Sequence, residues 1–488
     1  LRRQRQMCIR DSMCTTFIVG DKATVDGSFL VARSADSSAL KAQLFIIHPA
    51  CYYPEGAMYR TKDHNGATDF SYPQPVHAMR YTSVPNWQTK LHGAVGFNEA
   101  GLGVTGTESI FARDDALAID PYNKETGITE DDIIDIILPR CHTAAEGVEL
   151  LGKIIETHGA GEGFGVAFVD DNEIWYLETG TGHQWMAQRI PEDVYFGSGN
   201  QGRLRLYDPN ASEFKGSPDL IDFAIRHGFY DPQKGPFDFA AAYTRNDDRD
   251  RVYNDPRVWQ IQKLFNPSVI QPVEDGREFG VFMKPERKLS LEDAKRVMRD
   301  HFDASEHDPY SHGLNGNEPW RPVSVFRTYE AHVMQVRPWL PRAIGDVIYI
   351  AFGMADLSCF MPFYQGLEQV PGHYGIGTCQ ADSVSVYWKF RKLQTLVMTD
   401  YPTYAPIVKK AFGDQERAMT AKQEQMEKQY VELIKSDKKA ATALLQKTNL
   451  ELLAECEALA EELTNQIFTL ATENIQKANF FANHSKKD

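Results

Sequence analysis

The sequence predicts an α+β protein, because strand pairs and helices are segregated along the chain instead of alternating regularly. Apolar and β-branched runs separated by turn residues dominate the first part, with single helices between them. From 414 onward the chain contains neither glycine nor proline, and leucines recur at helical spacing. A chain of 488 residues is long enough to bury a full hydrophobic core and to carry an appended helical region.

Composition and charge exclude several classes of protein. The chain is 42% hydrophobic and 11% aromatic, which is typical of globular proteins and not of disordered ones. Its 52 Lys and Arg against 67 Asp and Glu give a net charge of -15, which does not favour nucleic acid as a partner. No apolar run reaches the roughly 18 residues of a membrane helix, so no membrane partner is expected. The seven cysteines form no CxxC motif, which favours reduced thiols in the cytoplasm.

Two hairpins are predicted in the first quarter of the chain. The first consists of the apolar runs 15–19 (TTFIV) and 28–33 (SFLVAR) around a turn-rich connection. The second lies within 93–106, where GAVGF and LGVTG flank a turn at 98–101.

The remaining elements follow from the same signals. Strands are predicted at 164–169, 173–177, 184–189, 332–336 and 346–353. Helices with capping residues are predicted at 143–159, 217–227 and 290–302. The last region is predicted to be a helical tail that packs on the body or on a partner subunit, so a homo-oligomer is compatible with it.

Residues 1–13 (LRRQRQMCIRDSM) lack the apolar segment of a secretory signal. The stretch 7–12 (MCIRDS) resembles translated sequencing adapter, so we expect residues 1–13 to be a translation artefact. Met13 is then the natural start. Because initiator methionine is generally removed before a small residue, Cys14 is predicted to be the mature N-terminus.

An N-terminal cysteine carries a thiol and a free α-amine on one residue. Their reference pKa values are about 8.5 and about 7.7 to 8.0, so a proton can pass between them near neutral pH. Covalent catalysis requires such a pairing of nucleophile and base. Cys14 is therefore the candidate nucleophile.

Four other residues could assist Cys14. Arg33 and Asp36 end the second strand of the first hairpin, where Arg33 would lower the pKa of the thiol and Asp36 would orient the α-ammonium. A surface ion pair at a strand end is the alternative. Asn98 and Asn200 lie at turns, where an amide could donate to an oxyanion, although turns favour asparagine without any catalytic role.

Other constellations give no reason to expect a metal or a cofactor. The acids and histidines within 301–312 do not have the spacing of a zinc signature and are interpreted as a polar loop. The glycine-rich stretch 159–165 follows a helix and precedes a strand, the reverse of a phosphate-binding loop. The GxSxG motif of serine hydrolases is absent.

Several blocks carry a family resemblance. Cys14-Thr15-Thr16 followed by VDGSFLVARSAD resembles the N-terminus of the dipeptidase D family of N-terminal-nucleophile (Ntn) cysteine peptidases. Further blocks similar to that family follow in its order: GFNEAGLGVTGTES, WYLETGTGHQWMAQRIPED, NDPRVW, RTYEAHVMQVRP and FMPFYQG. The similarity runs from Cys14 to about Gly366, and more distantly it extends to penicillin V acylases, bile-salt hydrolases and secernins.

The resemblance implies an αββα sandwich for residues 14–400, the catalytic domain, followed by a helical region at 401–488. It makes Cys14 the nucleophile, Arg33 and Asp36 its partners, and Asn98 and Asn200 oxyanion donors. The register around Asn200 departs from the usual spacing. A second active-site arginine is also implied, with these candidates: Arg257, Arg327 and Arg337.

The implied reaction is hydrolysis of dipeptides through a thioester, with a small peptide as the partner. Glu108 and Glu178 are candidates for binding the substrate ammonium, with a structural carboxylate as the equal alternative for each. Two alternatives remain open at this point. One is an N-acyl amidohydrolase with the same centre, and the other is a secernin-like interaction protein without peptidase activity.

Overall fold

The computed structural model describes residues 14–91, 93–303, 305–310 and 320–484. The predicted leader at 1–13 and His312 lie outside these residues, and so does the side chain of Glu108. Among the described residues, no helix is both long and apolar enough to cross a membrane.

Among the described strands, the first two and the last eleven belong to the two main sheets, and six short strands lie between them in the sequence. In chain order they are β1 (Thr15–Val19), β2 (Phe29–Asp36), β3 (Ile46–His48), β4 (Cys51–Tyr52), β5 (Met58–Arg60), β6 (Ser71–Pro73), β7 (His77–Ala78), β8 (Tyr81–Ser83), β9 (Val95–Phe97), β10 (Gly103–Glu108), β11 (Phe164–Val169), β12 (Ile174–Thr179), β13 (Trp185–Arg189), β14 (Tyr195–Ser198), β15 (Phe214–Gly216), β16 (Phe282–Met283), β17 (Thr328–Val336), β18 (Asp346–Phe352) and β19 (Met361–Tyr364).

The helices lie mostly between and after the strands. They are α1 (Asp114–Leu117), α2 (Glu130–Ile137), α3 (Ala144–His158), α4 (Leu220–Arg226), α5 (Phe239–Tyr243), α6 (Asp248–Tyr253), α7 (Asp255–Phe265), α8 (Leu291–Arg299), α9 (Arg342–Gly345), α10 (Val386–Val397), α11 (Tyr401–Leu433) and α12 (Lys438–His484). Short 3-10 turns occur at Asp21–Ala23, Thr61–His64, Pro232–Lys234, Val273–Glu278, Ala355–Leu357 and Gly372–Gly375.

Two antiparallel sheets form the body. The seven-stranded sheet has the order β16-β14-β1-β2-β17-β18-β19, and the six-stranded sheet has the order β15-β13-β12-β11-β10-β9. The hairpin β1–β2 therefore lies inside the first sheet, and the hairpin β9–β10 forms one edge of the second. Both hairpins were predicted from their turns, and both predictions are confirmed.

The sheets pack face to face. Arg33 Nη1 on β2 donates to the carbonyl oxygen of Gly165 on β11 at 2.9 Å, and the rings of Tyr176 and Phe196 lie 4.8 Å apart across the interface. Helix α7 covers the outer face of the first sheet, where Phe17 stacks on Phe265 with centroids 5.4 Å apart.

Helix α3 covers the outer face of the second sheet. A Cβ on Gly152 would lie 2.0 Å from the ring of Trp185, so this helix packs tightly on β13 only because that position carries no side chain. Helices therefore lie outside both sheets, and the predicted α+β class with αββα layering is confirmed.

The last two helices pack on the body. Arg299 of α8 pairs with Glu416 of α11 at 2.5 Å, and Arg337 pairs with Glu427 of α11 at 2.7 Å. Apolar residues of α11 and α12 join the same hydrophobic core as the seven-stranded sheet.

The strands β3 to β8 pair as three short ribbons, β3 with β8, β4 with β7 and β5 with β6. Together they form one long hairpin arm between the predicted hairpins. The sequence analysis did not predict this arm, because each strand has only two or three residues and shows no extended alternation.

Candidate active site

Cys14 stands directly before β1 and is completely buried. On one side, Thr16 pairs with Ser198 of β14 in antiparallel register. Continued by two residues, that register places Asn200 opposite Cys14. The antiparallel pairing of β1 with β14 therefore brings the predicted nucleophile and one predicted oxyanion donor to the same end of the sheet.

Arg257 joins these two residues from the first turn of α7. Its guanidinium donates to the main-chain oxygen of Cys14 at 2.7 Å and to Asn200 Oδ1 at 2.8 Å. It also donates to Thr15 Oγ1 at 2.7 Å. The proline before it, in the first turn of the helix, is a helix-start signal. Arg257, one of the three arginine candidates, is thus in direct contact with Cys14.

The other two candidates have different partners. Arg327 donates to the hydroxyl of Tyr253 at 2.5 Å. Arg337 pairs with Glu427 of α11 and so helps to attach the C-terminal helices.

Asp36 lies within a polar cluster beside Thr15, the first residue of β1. Its carboxylate accepts from Thr328 Oγ1 at 2.5 Å and from Ser34 Oγ at 3.2 Å, and it forms an ion pair with Arg321. The Ser34 hydroxyl in turn accepts from the amide of Thr15 at 3.2 Å. Asp36 is thus linked to the backbone next to Cys14 through one hydroxyl.

Arg321 was missed by the sequence analysis. It is buried, it binds Asp36, and its Nη1 lies 3.4 Å from Thr15 Oγ1. No motif precedes it, since the surrounding segment carries neither a strand nor a helix pattern. Only the fold shows that this arginine reaches the nucleophile's strand.

The charges around Cys14 favour an anion. Burial and the neighbouring Arg321 lower the pKa of Arg257 well below its ordinary value, and a negative charge at Cys14 acts in the opposite direction. For Arg321, burial opposes the charge, but Asp36, Tyr253 and Cys14 raise the pKa overall. Because the interaction is mutual, a negative charge on Cys14 and positive charges on these two guanidinium groups favour each other.

Arg33 lies on the opposite face of the sheet from Arg257. It pairs across β1 with Thr16, which shares its face with Cys14, and it reaches the six-stranded sheet through Gly165. The side chain is completely buried. Its predicted effect on the thiol stays a prediction.

The side-chain amide of Asn200 is held through its oxygen. The residue is 1% exposed, and its Oδ1 accepts from Arg257. Within the part of the chain that the structure describes, Asn200 Nδ2 has no hydrogen-bond partner. A buried amide nitrogen in this state is costly unless a ligand or water accepts its hydrogens, so the geometry suits an oxyanion donor.

Asn98 does not have this geometry. Its Nδ2 donates to the carbonyl oxygens of Leu138 and Cys141 at 2.9 and 2.7 Å, and its Oδ1 accepts from the amides of Ala100 and Leu102, both at 3.0 Å. Both amide hydrogens are therefore committed to main-chain oxygens beside the β9–β10 turn. The contacts of its side chain are those of a turn residue, and the predicted oxyanion role of Asn98 stays a prediction.

Glu178 is completely buried on β12. Its carboxylate accepts from the amide of Arg203 at 2.8 Å and from the amide of Leu204 at 3.1 Å. Burial raises its pKa to about 7, although these two hydrogen bonds act to lower it. The observed contacts assign it to holding the loop that follows Asn200, not to the substrate ammonium.

The acid and histidine loop is a side-chain network. His301, Asp303 and Asp356 bring ligand atoms within 4.8 Å of one another, but the ammonium of Lys409 lies 2.6 Å from Asp356 and 3.3 Å from Asp303. Burial opposes charge on His301, but the hydrogen bonds that it donates to the surrounding carboxylates raise its pKa to about 11. The charges of His301 and Lys409 therefore already neutralise the carboxylates of Asp303 and Asp356.

Comparison with known proteins assigns the family. The profile of peptidase family C69 matches residues 13–413. A "Probable dipeptidase" of Salmonella dublin is 50% identical over 367 residues, covering 75% of this chain and 82% of the relative. A "Probable dipeptidase" of Latilactobacillus sakei is 31% identical over 418 residues, covering 84% and 85%. A "Dipeptidase" of Bifidobacterium longum (strain NCC 2705) is 32% identical over 419 residues, covering 78% and 76%.

Among solved structures, a penicillin V acylase from Agrobacterium tumefaciens is 11% identical with a TM-score of 0.30, covering 72% of this chain and 86% of the other. A variant of the conjugated bile acid hydrolase from Clostridium perfringens is 12% identical with a TM-score of 0.27, covering 70% and 89%.

Proposed function

The chain belongs to peptidase family C69, and on that premise we propose that it hydrolyses dipeptides with Cys14 as the nucleophile. It is a cysteine-type peptidase with relatives named dipeptidase. The observation that carries the proposal is the bridge that Arg257 makes between the main chain of Cys14 and the side chain of Asn200.

In the first step, the Cys14 thiolate attacks the carbonyl carbon of the peptide bond. Arg257 and Arg321 stabilise the thiolate, and Asn200 Nδ2 donates to the oxyanion that develops on the carbonyl oxygen. The C–N bond then breaks. The departing amine takes the proton that the thiol gave up, and the remaining acyl group stays on sulfur as a thioester.

In the second step, water attacks the thioester carbon. The C–S bond breaks, the acyl group leaves as a carboxylic acid, and the sulfur is free for another cycle. We propose that the α-amine of Cys14 carries the proton in both steps, once Cys14 is the first residue of the mature chain. Asp36 supports this end of the strand through Ser34 and Thr15.

The acidic net charge, the cysteines and the family together support further proposals. Small peptides are the substrates, and the location is cytoplasmic. Residues 14–400 form the catalytic unit, and the helical region at 401–488 packs on it.

The test compares Cys14→Ala and Cys14→Ser with the wild type on a panel of dipeptides and a panel of N-acyl amino acids. We expect both variants to lose dipeptide hydrolysis by about 10⁴-fold or more, since removal of a nucleophile has effects of this order. Hydrolysis of dipeptides by Cys14→Ala at the wild-type rate would refute the site. A wild type that cleaves only the N-acyl panel would refute the substrate class.

A further inference from the structure

The side chain of Asn254 is completely buried next to the site, and both the oxygen and the nitrogen of its amide form hydrogen bonds there. Its Oδ1 accepts from the amide of Asn200 at 2.9 Å and from Arg257 Nη2 at 2.6 Å. Its Nδ2 donates to the main-chain oxygen of Asn200 at 3.2 Å and to Asp250 Oδ1 at 2.6 Å.

These contacts fix Asn200 almost completely. Asn254 binds both main-chain polar groups of Asn200, and Arg257 binds its side-chain oxygen. Since Asn200 Nδ2 has no partner among the described residues, the only group of Asn200 left for a ligand is the proposed oxyanion donor.

The packing leaves little freedom for this arrangement to shift. A Cβ on Gly199 would lie 2.9 Å from Arg257 Nη2 and 3.0 Å from Asn254 Oδ1. The loop that carries Asn200 therefore lies in direct contact with both side chains. A change in Asn254 would move the donor and the guanidinium together.

We propose that Asn254 is a positioning residue for the hydrolytic reaction, which holds Asn200 Nδ2 and the Arg257 guanidinium in the geometry that acyl transfer requires. This inference rests on the proposed function, because it assigns Asn254 to residues that serve Cys14. Asn254 does not touch the reacting atoms. It acts through Asn200 and Arg257.

The main experiment measures kcat and KM for a dipeptide in Asn254→Ala. A misplacement of about 1 Å can cost about 10²-fold in rate, so we expect kcat to fall about 10- to 100-fold with KM changed less than about threefold. Asn254→Ser is the second variant and is judged by the same criterion if Asn254→Ala does not accumulate as folded protein.

The matched control is Asn266→Ala, at the other end of the same helix. Asn266 is also buried, accepts from the Tyr195 hydroxyl at 2.7 Å and donates to the main-chain oxygen of Lys284 at 2.8 Å. Its loss should lower the melting temperature while kcat stays within twofold of the wild type. A comparable fall in kcat in this control would show that any damage to α7 has the same effect, and would overturn the proposal.

A double-mutant cycle separates positioning from general damage. If Asn254 acts through Asn200, Asn254→Ala should lower kcat by a smaller factor in an Asn200→Ala background than in the wild type. Equal factors in both backgrounds, or a folded Asn254→Ala enzyme with wild-type kcat, would overturn the proposal. Failure of the proposed function would look different, because Cys14→Ala would then retain activity.

Discussion

The guanidinium of Arg257 donates to the main-chain oxygen of Cys14 across 2.7 Å, although the two residues are 243 positions apart in the sequence. The same group binds the side-chain oxygen of Asn200 at 2.8 Å. One arginine therefore binds both the strand end that carries the nucleophile and the side-chain oxygen of Asn200. This relationship connects the fold to the proposed chemistry.

Arg257→Lys should separate this bridging role from charge alone. A lysine keeps the positive charge but has a single ammonium in place of the planar fork, so it cannot reproduce the contacts to Cys14, Thr15 and Asn200 together. We expect kcat for dipeptides to fall about 10²-fold. Arg337→Lys is the matched control, because that arginine pairs with Glu427 of α11; its kcat should stay within threefold. Equal rates in the two variants would contradict the bridging role.

Asn98→Ala should mainly lower stability, whereas Asn200→Ala should mainly lower kcat. Asn98 makes four hydrogen bonds within and beside its turn, so its loss should lower the free energy of unfolding by roughly 2 to 3 kcal/mol and leave kcat nearly unchanged. Asn200→Ala should lower kcat by about 10²-fold or more, as the loss of an oxyanion donor does. Steady-state kinetics and urea unfolding measure the two effects. A large kcat loss in a stable Asn98→Ala protein would support the oxyanion role predicted for Asn98.

Glu178→Gln should change how stability depends on pH. The pKa of Glu178 is raised to about 7 in the folded state, from an ordinary value of 4.5. The native state therefore holds its proton more tightly than the unfolded state. The stability that this proton provides is fully present below pH 4.5 and is lost as pH rises through 7.

The shift corresponds to about 3 kcal/mol at most, at about 1.36 kcal/mol per pKa unit. Glutamine does not titrate, so the stability of the wild type relative to Glu178→Gln should fall by up to that amount between about pH 4.5 and about pH 8. Urea unfolding at several pH values measures the difference. Parallel pH profiles for the two proteins would show that Glu178 does not titrate in this range.

His301→Asn should affect stability and leave the chemistry alone. His301 is 2.9 Å from Asp308 and 3.1 Å from Asp303, and its pKa is raised to about 11, so it is charged at neutral pH. Removing this cation leaves buried carboxylates without their partner and should cost about 3 kcal/mol.

His183→Asn is the control for this experiment, because the side chain of His183 is about half-buried and pairs with the single carboxylate of Asp120. Its cost should be below about 1 kcal/mol. Thermal unfolding measures the stability of both variants, and kcat should stay within twofold of the wild type in each. A His301→Asn protein as stable as the His183→Asn protein would contradict the assigned network.

Local features were predictable from the sequence and long-range ones were not. The hairpin of β1 and β2 follows from two apolar runs and the turn between them, and this placed Asp36 beside the start of β1. Arg321 reaches Thr15 across 306 positions, and no local pattern carries such information.

The two asparagines show a further limit of sequence patterns. Asn98 and Asn200 both lie at turns after strands, and the sequence therefore predicted the same role for both. They differ only in what surrounds them, since the amide of Asn98 is used by neighbouring carbonyls and the Nδ2 of Asn200 has no partner among the described residues. That difference depends on helix α7 and on the β9–β10 turn, which are distant from each other in the chain.

The most direct test of the central claim is the N-terminal residue of the active enzyme, determined by mass spectrometry of the intact protein and of its N-terminal peptide. The mechanism predicts that fully active protein begins with Cys14, carrying a free α-amine and a thiol. Fully active protein that still carries Met13, or any of residues 1–13, would contradict catalysis by an N-terminal nucleophile.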